Sequence, residues 1–558
     1  MSVSTALFSS LTGLRVNEAR LDVVGNNIAN ANTTAFKATR VTFQTAFAQT
    51  LSIGAAGTQD VAATNPSQIG LGAAIGATTV NFSPGSISNT GRNGDLAIEG
   101  SGFFIVNDVD GTQLFTRDGA FSLNADLQLI TADGHLVQGF GVDRNFNVVP
   151  GILENVTVPI GQMTIARTTT EAVFAGNVNS AGDIGAQGSV LNTQTLVDTT
   201  GPVTDASLLT DLEDAAAPGV NLFADGDTLT LTPNKGGRTL PASTFEITAA
   251  TDLGDLAAWI EESLGIHTGA EQVGSPGVTI SGDQVVITGN VGTENEIGVS
   301  DLFLTSDNPT VSSPFSFTST QSADGESCRT SFAVYDSLGN EAIVDLSMVL
   351  ESVGTNGEIV WRFFVESAAD SDDSIILGSG TVTFDEKGAF ADSTNTSVSL
   401  DRDGTGAATP VLFDLDFTSM TSMAANESEI ALTTQDGTPM GTMSSFHVDG
   451  GGMVVGQFTN GLAVRVAQIA LATFSNPEGL LQQGDNLYLA GPNSGLPVVA
   501  SPGSLGAGTI VGGALEQSNV DMAREFIELI VTSTGFAANS RVISTANRLL
   551  TELLSLTT

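Results

Sequence analysis

One cysteine in 558 residues, Cys328, excludes an internal disulfide and a zinc cluster built on thiolates. A lone thiol of this kind reads as a core residue. Charge is scarce as well, at 14% of the chain, where about a quarter is usual. Only 18 residues are basic, three of them lysines, against 61 acidic ones, for a net charge of -43. Phosphate backbones and anionic lipid repel such a chain, so neither nucleic acid nor a membrane surface is expected as a partner. The plain reading is a soluble surface kept apart by its own charge. No run of about 18 apolar residues is long enough to span a bilayer. Residues 1–14 carry no Lys or Arg ahead of their apolar positions, so no secretory signal is read there. Taken alone this implies a cytoplasmic protein, and an unprocessed protein exported by another route would look the same.

Catalytic patterns are missing too. His135, His267 and His447 lie on separate segments without ligand spacing. There is no G-x-S-x-G elbow and no Gly-Lys-Ser/Thr to cradle a phosphate. Gly70-Leu71-Gly72 and Gly506-Ala507-Gly508 lack the third glycine and the preceding strand of a nucleotide site. Asp108-Val109-Asp110-Gly111 and Asp401-Arg402-Asp403-Gly404 resemble the opening of a calcium loop. The twelfth position, which needs a bidentate Glu, is Gly119 in one and Leu412 in the other. Both are expected to be β-turns. No catalytic, cofactor-binding or metal-ligating residue is assigned, and the chain is not expected to be an enzyme.

What is present is Gly, Ser, Thr and Asn in quantity, with 63 glycines, the composition of a turn-rich β protein. The length calls for about three to five domains. The ends differ from the middle. Leu7, Leu11, Leu14, Leu21 and Ile28 recur at helical spacing and predict an amphipathic helix that needs a partner. At the other end Met522, Leu529, Phe536, Ile543 and Leu550 stand seven apart, with Phe526 and Leu554 among the four-residue offsets. The two helices are expected to pair as a coiled coil. Gly25 and Gly535 cost each helix about 1 kcal/mol against alanine, so both are expected to order on association. Between them, short strands separated by Gly and Asp turns predict antiparallel β domains. One helical stretch at 250–266 among strands predicts an α+β insert at 181–315. The fold class is mixed and mainly β, nested as helix, linker, β, insert, β, linker, helix.

LDVVGNNIANANTTAFK, residues 21–37, resembles the N-terminal signature of the flagellar rod and hook proteins, through Gly25, Asn26, Asn27, Asn30, Phe36 and Lys37. The stretch from Gly513, GALEQSNVDMAREF…AANSRVIST, is similar to their closing motif, through Ser518, Asn519, Val520, Asn539 and Ser540. FSPGSISNTGRNGDLAIEGSGFFIV and ALATFSNPEGLLQQGDNLYLAGPNSGLP match the β domain of that family. Ala35 stands where the family pattern has Gly, Phe536 replaces a tyrosine, and residues 50–68 lengthen the linker. TSFAVYDSLGNEAIVDL and VTFDEKGAF look like the outer domain of hook members, which the shorter rod members lack.

The resemblance implies terminal helical segments 1–32 and 515–558, linkers 33–79 and 485–514, and a β core of 80–170 with 440–484. An outer β domain would comprise 171–180 with 316–439, and 181–315 would be the outermost insert. It implies a structural subunit of the hook, a flexible tube linking rod to filament and transmitting torque, or alternatively of the distal rod. The partners implied are further copies of the chain, the rod and hook–filament junction proteins, the hook cap and the flagellar export apparatus. The place implied is the basal body and hook outside the cell, reached without a cleaved signal peptide.

Overall fold

A computed structural model describes residues 3–57, 62–108, 110–298, 302–355, 357–372 and 374–557. Val109, in the first of the calcium-like turns, lies outside them. Three α-helices occur among the described residues: α1 (Val3–Ala29), α2 (Leu253–Ser263) and α3 (Met522–Thr557). Nearly everything else is strand and turn. Among the described residues no helix is long and apolar enough to cross a membrane. The chain divides into two compact units, residues 1–163 with 442–558, and Thr164–Gly441.

The first unit joins α1 and α3 to a β domain. Strand Leu136–Val142 is central there, pairing with Phe103–Asn107, Val148–Asn155 and Ala463–Ile469, all antiparallel. Phe103, Phe115, Phe140 and Tyr488 lie in its core, with Phe103 edge to face against Tyr488 at 5.9 Å and Phe115 against Phe474 at 4.8 Å. That geometry adds to what burial of the ring area provides.

Two linker expectations are corrected here. Residues 33–79 are not simply extended: Thr39–Thr45 pairs antiparallel with Ala73–Val80, and Ala48–Ser52 with Ser67–Gly70. They form a two-stranded ribbon, whose β-branched and aromatic residues the absence of a long period concealed. Residues 485–514 supply strands to the β domain, Leu487–Leu489 beside Gln113–Thr116, Val498–Ala500 beside Leu471–Thr473, and Thr509–Gly512 beside Leu96–Glu99. The partners of the first and third are hundreds of residues away, so local pattern could not reveal those pairings.

The second unit contains two lobes. In one, a five-stranded antiparallel sheet (Ser327–Tyr335, Glu341–Val353, Ile359–Glu366, Ile376–Phe384, Phe390–Ser393) packs on a four-stranded sheet. In the latter Glu171–Asn179 runs parallel to Val411–Met423. Trp361, Phe363, Phe174 and Phe417 lie in the shared core, so this lobe is a sandwich. The other lobe holds α2. Its Leu253, Leu256, Ala257 and Ile260 are buried at i, i+3, i+4 and i+7, and Asp252 and Asp255 close a capping box at its start. Strand Thr318–Gln321 pairs with Gly188–Asn192 in this lobe, which therefore extends past the expected boundary at 315.

Candidate functional site

The ends of the chain meet in the first unit. α1 and α3 lie antiparallel: Gly13 faces Asn539, Asn17 faces Gly535, and Arg20 bonds Glu528 at 3.1 Å. A Cβ on Gly13 would stand 2.9 Å from the Asn539 amide, so glycine sets the close approach. Ser10, Gly13, Asn17, Arg20, Val24 and Asn27 form the seam on α1 by spacing and burial. Glu525, Glu528, Thr532, Gly535, Asn539 and Ala546 form it on α3. Ser10 and Asn17 return their polar atoms to carbonyls of their own helix, Ala6 at 2.8 Å and Gly13 at 2.7 Å, so burying them leaves no donor unmet.

The terminal helices pair as expected, but the seam within the subunit does not run through the expected apolar series. The series Leu7, Leu11, Leu14, Leu21, Ile28 and Met522, Phe526, Leu529, Phe536, Ile543, Leu550, Leu554 is displaced from the seam by one residue, about 100° around each helix. Leu7, Leu14, Leu21, Ile28, Leu529, Phe536 and Ile543 flank it half-buried. Leu11, Met522, Phe526, Leu550 and Leu554 are exposed. On the far side of α3, Ile527, Ile530 and Val531 are exposed too. The helices thus close on their small and polar residues and leave apolar stripes outside. They are also electrically balanced, Arg15 and Arg20 against Glu18 and Asp22 on α1, and Arg524, Arg541 and Arg548 against Glu525, Glu528 and Glu552 on α3. The second unit, by contrast, holds 41 of the 61 acidic residues and 7 of the 18 basic ones.

Below the helix pair the two signature stretches interlock. Asn27 is buried, donating to the Thr39 carbonyl and accepting from the Thr39 amide, both at 2.9 Å, so its side chain imitates a strand partner. Asn30 ends α1 by donating to the Asn26 carbonyl at 3.0 Å. Ala35 has φ 55° and donates its amide to the Glu516 carbonyl at 2.8 Å. This left-handed turn is why the family pattern has glycine there. Asn519 accepts from the Ala38 amide at 2.7 Å and donates to the carbonyls of Asn81 and Ser83. Ser518 accepts from the Val520 amide at 3.3 Å. Val520 is half-buried, Asn539 lies in the helix seam, and Ser540 is exposed.

At the centre is a buried ion triad. Lys37 Nζ lies 2.6 Å from Glu516 Oε1, both side chains fully covered, and Arg117 Nη1 is 3.6 Å from Glu516 Oε2. Lys37 also donates to the Ser83 carbonyl at 2.9 Å, and Glu516 accepts from the Gly85 amide at 2.8 Å. Burial pulls the Lys37 ammonium below its ordinary range despite the hydrogen bond and charge of Glu516. Desolvation wins, so the pair fixes one geometry at the junction rather than adding stability over an apolar equivalent. Sequence reading missed Glu516 and Arg117. The signal was there for Glu516, one acid inside the closing motif beside uncharged residues.

Gly25 and Asn26 face outward, and a Cβ on Gly25 would meet nothing within 4 Å. Gly25→Ala should therefore stabilise the isolated subunit by about 1 kcal/mol through helix propensity. Urea unfolding followed by helical circular dichroism checks it, and a loss would contradict the open surroundings.

The three histidines searched for chemistry do not converge. His135 sits 3.4 Å from Asp108, His267 is buried in the second unit, and His447 is on strand Thr438–Val448. Burial pushes the Cys328 thiol up to about 12, so it stays protonated and unreactive. Asp401 comes near Asp370 and Asp372, with oxygens within 4.8 Å of one another. A cleft of 760 Å³ opens beside the helix pair, lined by Arg20, Val24, Phe43, Asn519, Glu525 and Glu528. The ribbon forms one wall, with the Arg20 guanidinium 5.8 Å from the Phe43 ring centroid.

Comparison with known proteins bears on the whole chain. Residues 9–37 match the family described as flagella basal body rod protein, and 97–190 the flagellar hook protein FlgE/F/G D1 domain. Residues 304–438 match the flagellar basal body protein FlaE D2 domain, and 511–556 the flagellar basal body rod FlgEFG protein C-terminal. The flagellar hook protein FlgE of Treponema pallidum is 27% identical over 557 residues, covering 99% of each chain. That of Borreliella burgdorferi is 28% identical over 569 residues, again 99% of each. The crystal structure of Helicobacter pylori flagellar hook protein FlgE2 overlaps with a TM-score of 0.40 at 16% identity, covering 77% of this chain and all of that one.

Proposed function

Because the chain belongs to the FlgE-type flagellar hook protein family, we propose that it polymerises through its terminal helices into the tube of a bacterial flagellar hook. Full-length relatives carry the hook name, which sets aside the distal-rod alternative. The observation that supports the helices as the polymerising part is their inverted use of side chains. Small and polar residues close the pair within a subunit, and apolar stripes are left for other copies. Balanced charge on both helices lets copies approach where a chain of net charge -43 would otherwise repel itself. A heterologous contact that does not close on itself generates a helical tube.

In this reading the terminal helices hold the tube, the signature junction transmits force into the β domain, and residues 171–439 bear on neighbouring copies during bending. Rod and hook–filament junction proteins meet the two ends of the tube, the hook cap guides growth, and the flagellar export apparatus passes the chain without cleavage. A subunit with one thiol carries no disulfide hazard through export. No catalytic step is assigned to it.

Electron microscopy of a strain lacking the chain should show complete rods without hooks. Complementation with residues 1–519 should leave the hook absent. Truncated rods in the first strain, or hooks in the second, would sink the reading.

A further inference from the structure

The second unit spends its few cations unevenly. Of seven basic residues, Lys235, Arg238 and Arg329 lie at the joint between the α2 lobe and the sandwich. Lys235 ends strand Thr228–Lys235 and Arg238 starts the next, in the α2 lobe. Both reach Glu366, the last residue of sandwich strand Ile359–Glu366. Lys235 Nζ lies 2.5 Å from Oε1, and Arg238 Nη2 lies 2.5 Å from Oε2, so each carboxylate oxygen has its own cation. Arg238 also bridges to Asp345 of the neighbouring sandwich strand. The traffic runs the other way too: Arg329 of the sandwich pairs with Glu294 of the α2 lobe at 3.4 Å and donates to the Gly236 carbonyl.

The pair at the centre, Lys235 with Glu366, is sealed. Lys235 and Glu366 side chains are 2% and 6% exposed, and the space left among the charged groups is 10 Å³, room for about one water. Lys235 is steadied by the Gly265 carbonyl at 2.7 Å. His267 stands 3.7 Å from Glu366, and its ring lies against Phe364 at 5.0 Å. Burial pushes this imidazole below its ordinary value. Burial alone would raise the Glu366 carboxyl; the Lys235 charge, with help from His267 and Arg238, overcomes it and holds the group below the usual carboxylate range. Beside the charges Val291 of one lobe packs on Val349 and Phe364 of the other.

We propose that Lys235, Arg238 and Glu366 form a charge latch that fastens the α2 lobe to the sandwich, so that the two turn as one rigid body. The lobe at 181–321 is then no separately hinged arm, and relative motion between neighbouring copies is not absorbed within this unit. The latch belongs to the single subunit and stands whether or not the assembly reading does. A chain this acidic has no shortage of anions for a joint. The scarce partners are cations, and three of seven are here.

Hydrogen exchange on the full-length subunit tests it. Glu366→Gln leaves Lys235 buried without a counter-charge and Arg238 with Asp345 alone. Amides at 292–296, which bond across the joint through the Glu294 amide to Ser327 Oγ, should exchange about 100-fold faster. The interior amides of α2 and of strand Glu341–Val353 should keep wild-type protection. Unchanged exchange at 292–296, or an equal loss through both lobes, would overturn the latch. Arg238→Met, at a partly exposed side chain, should give the same local pattern at about 10-fold, and remains readable if Glu366→Gln does not fold. In the wild type, exchange at 292–296 should be the same at about 0.1 M and about 1 M NaCl, because buried pairs are weakly screened. A salt-sensitive joint would also overturn the proposal.

Discussion

Lys37→Met should destabilise the first unit by about 3–5 kcal/mol, the largest single-residue effect expected in this molecule. The side chain is fully covered, and so is its partner Glu516, 2.6 Å away. Removing the ammonium strands a carboxylate in a site closed to water, with only Arg117 at 3.6 Å to offset it. The methionine fills similar space, so the loss is electrostatic rather than a cavity. Glu516→Gln should cost a comparable amount, because it leaves Lys37 and Arg117 close together without the intervening charge. The double variant should lose clearly less than the sum of the two, since neither charge is then stranded. Helical circular dichroism during urea unfolding reports the unit directly: α1 and α3 hold 27 and 36 residues, against 11 in α2. A loss under about 1 kcal/mol would mean that water reaches the pair. The same variant should uncouple the helices from the β domain, because Lys37 reaches Ser83 while Glu516 holds both the Ala35 and Gly85 amides.

Ile527→Gln combined with Ile530→Gln should abolish polymerisation and leave the subunit's own stability within about 0.5 kcal/mol. These side chains are 63% and 64% exposed, so the monomer loses almost no packing, and glutamine keeps good helix propensity. In a polymer each isoleucine would bury surface worth about 1.5–3 kcal/mol. Losing both should raise the critical concentration by about 100-fold or more. Sedimentation and electron microscopy read it out. Gly535→Leu is the contrasting case: its side chain would be driven toward Asn17, and it should weaken the helix pair inside the monomer. Polymers of the double glutamine variant at the wild-type concentration would show that the outer face of α3 is not where copies meet.

The two variants separate features that hydrophobic patterning alone runs together. The heptad from Met522 to Leu554 and the leucine series on α1 both mark apolar stripes. Periodicity finds such a stripe but says nothing about which surface covers it. The intrachain seam runs one residue away, through Ser10, Gly13, Asn17, Thr532, Gly535 and Asn539, residue types that any hydrophobicity count passes over. Their qualification is size. Two glycines, each opposite an asparagine, let the backbones approach.

The asparagine run was legible as a signature and opaque as a mechanism. That Asn27 completes a strand ladder with Thr39, and that Asn519 bridges Ala38, Asn81 and Ser83, depends on chain separations of up to 481 residues. The late strands Leu487–Leu489 and Thr509–Gly512 were hidden for the same reason, whereas the ribbon at 39–80 pairs locally and was hidden because it lacks a long period.

By itself the sequence determined the nested order, the helical ends, the β-rich middle and the α2 helix. These follow from local propensity, periodicity and composition, which each residue carries wherever it sits. The tertiary structure alone decided which face of each terminal helix is spent inside the subunit, which acid Lys37 meets, and that three scarce cations gather where the α2 lobe meets the sandwich. Those outcomes depend on desolvation and close approach between distant segments, and neither quantity exists until the chain has folded.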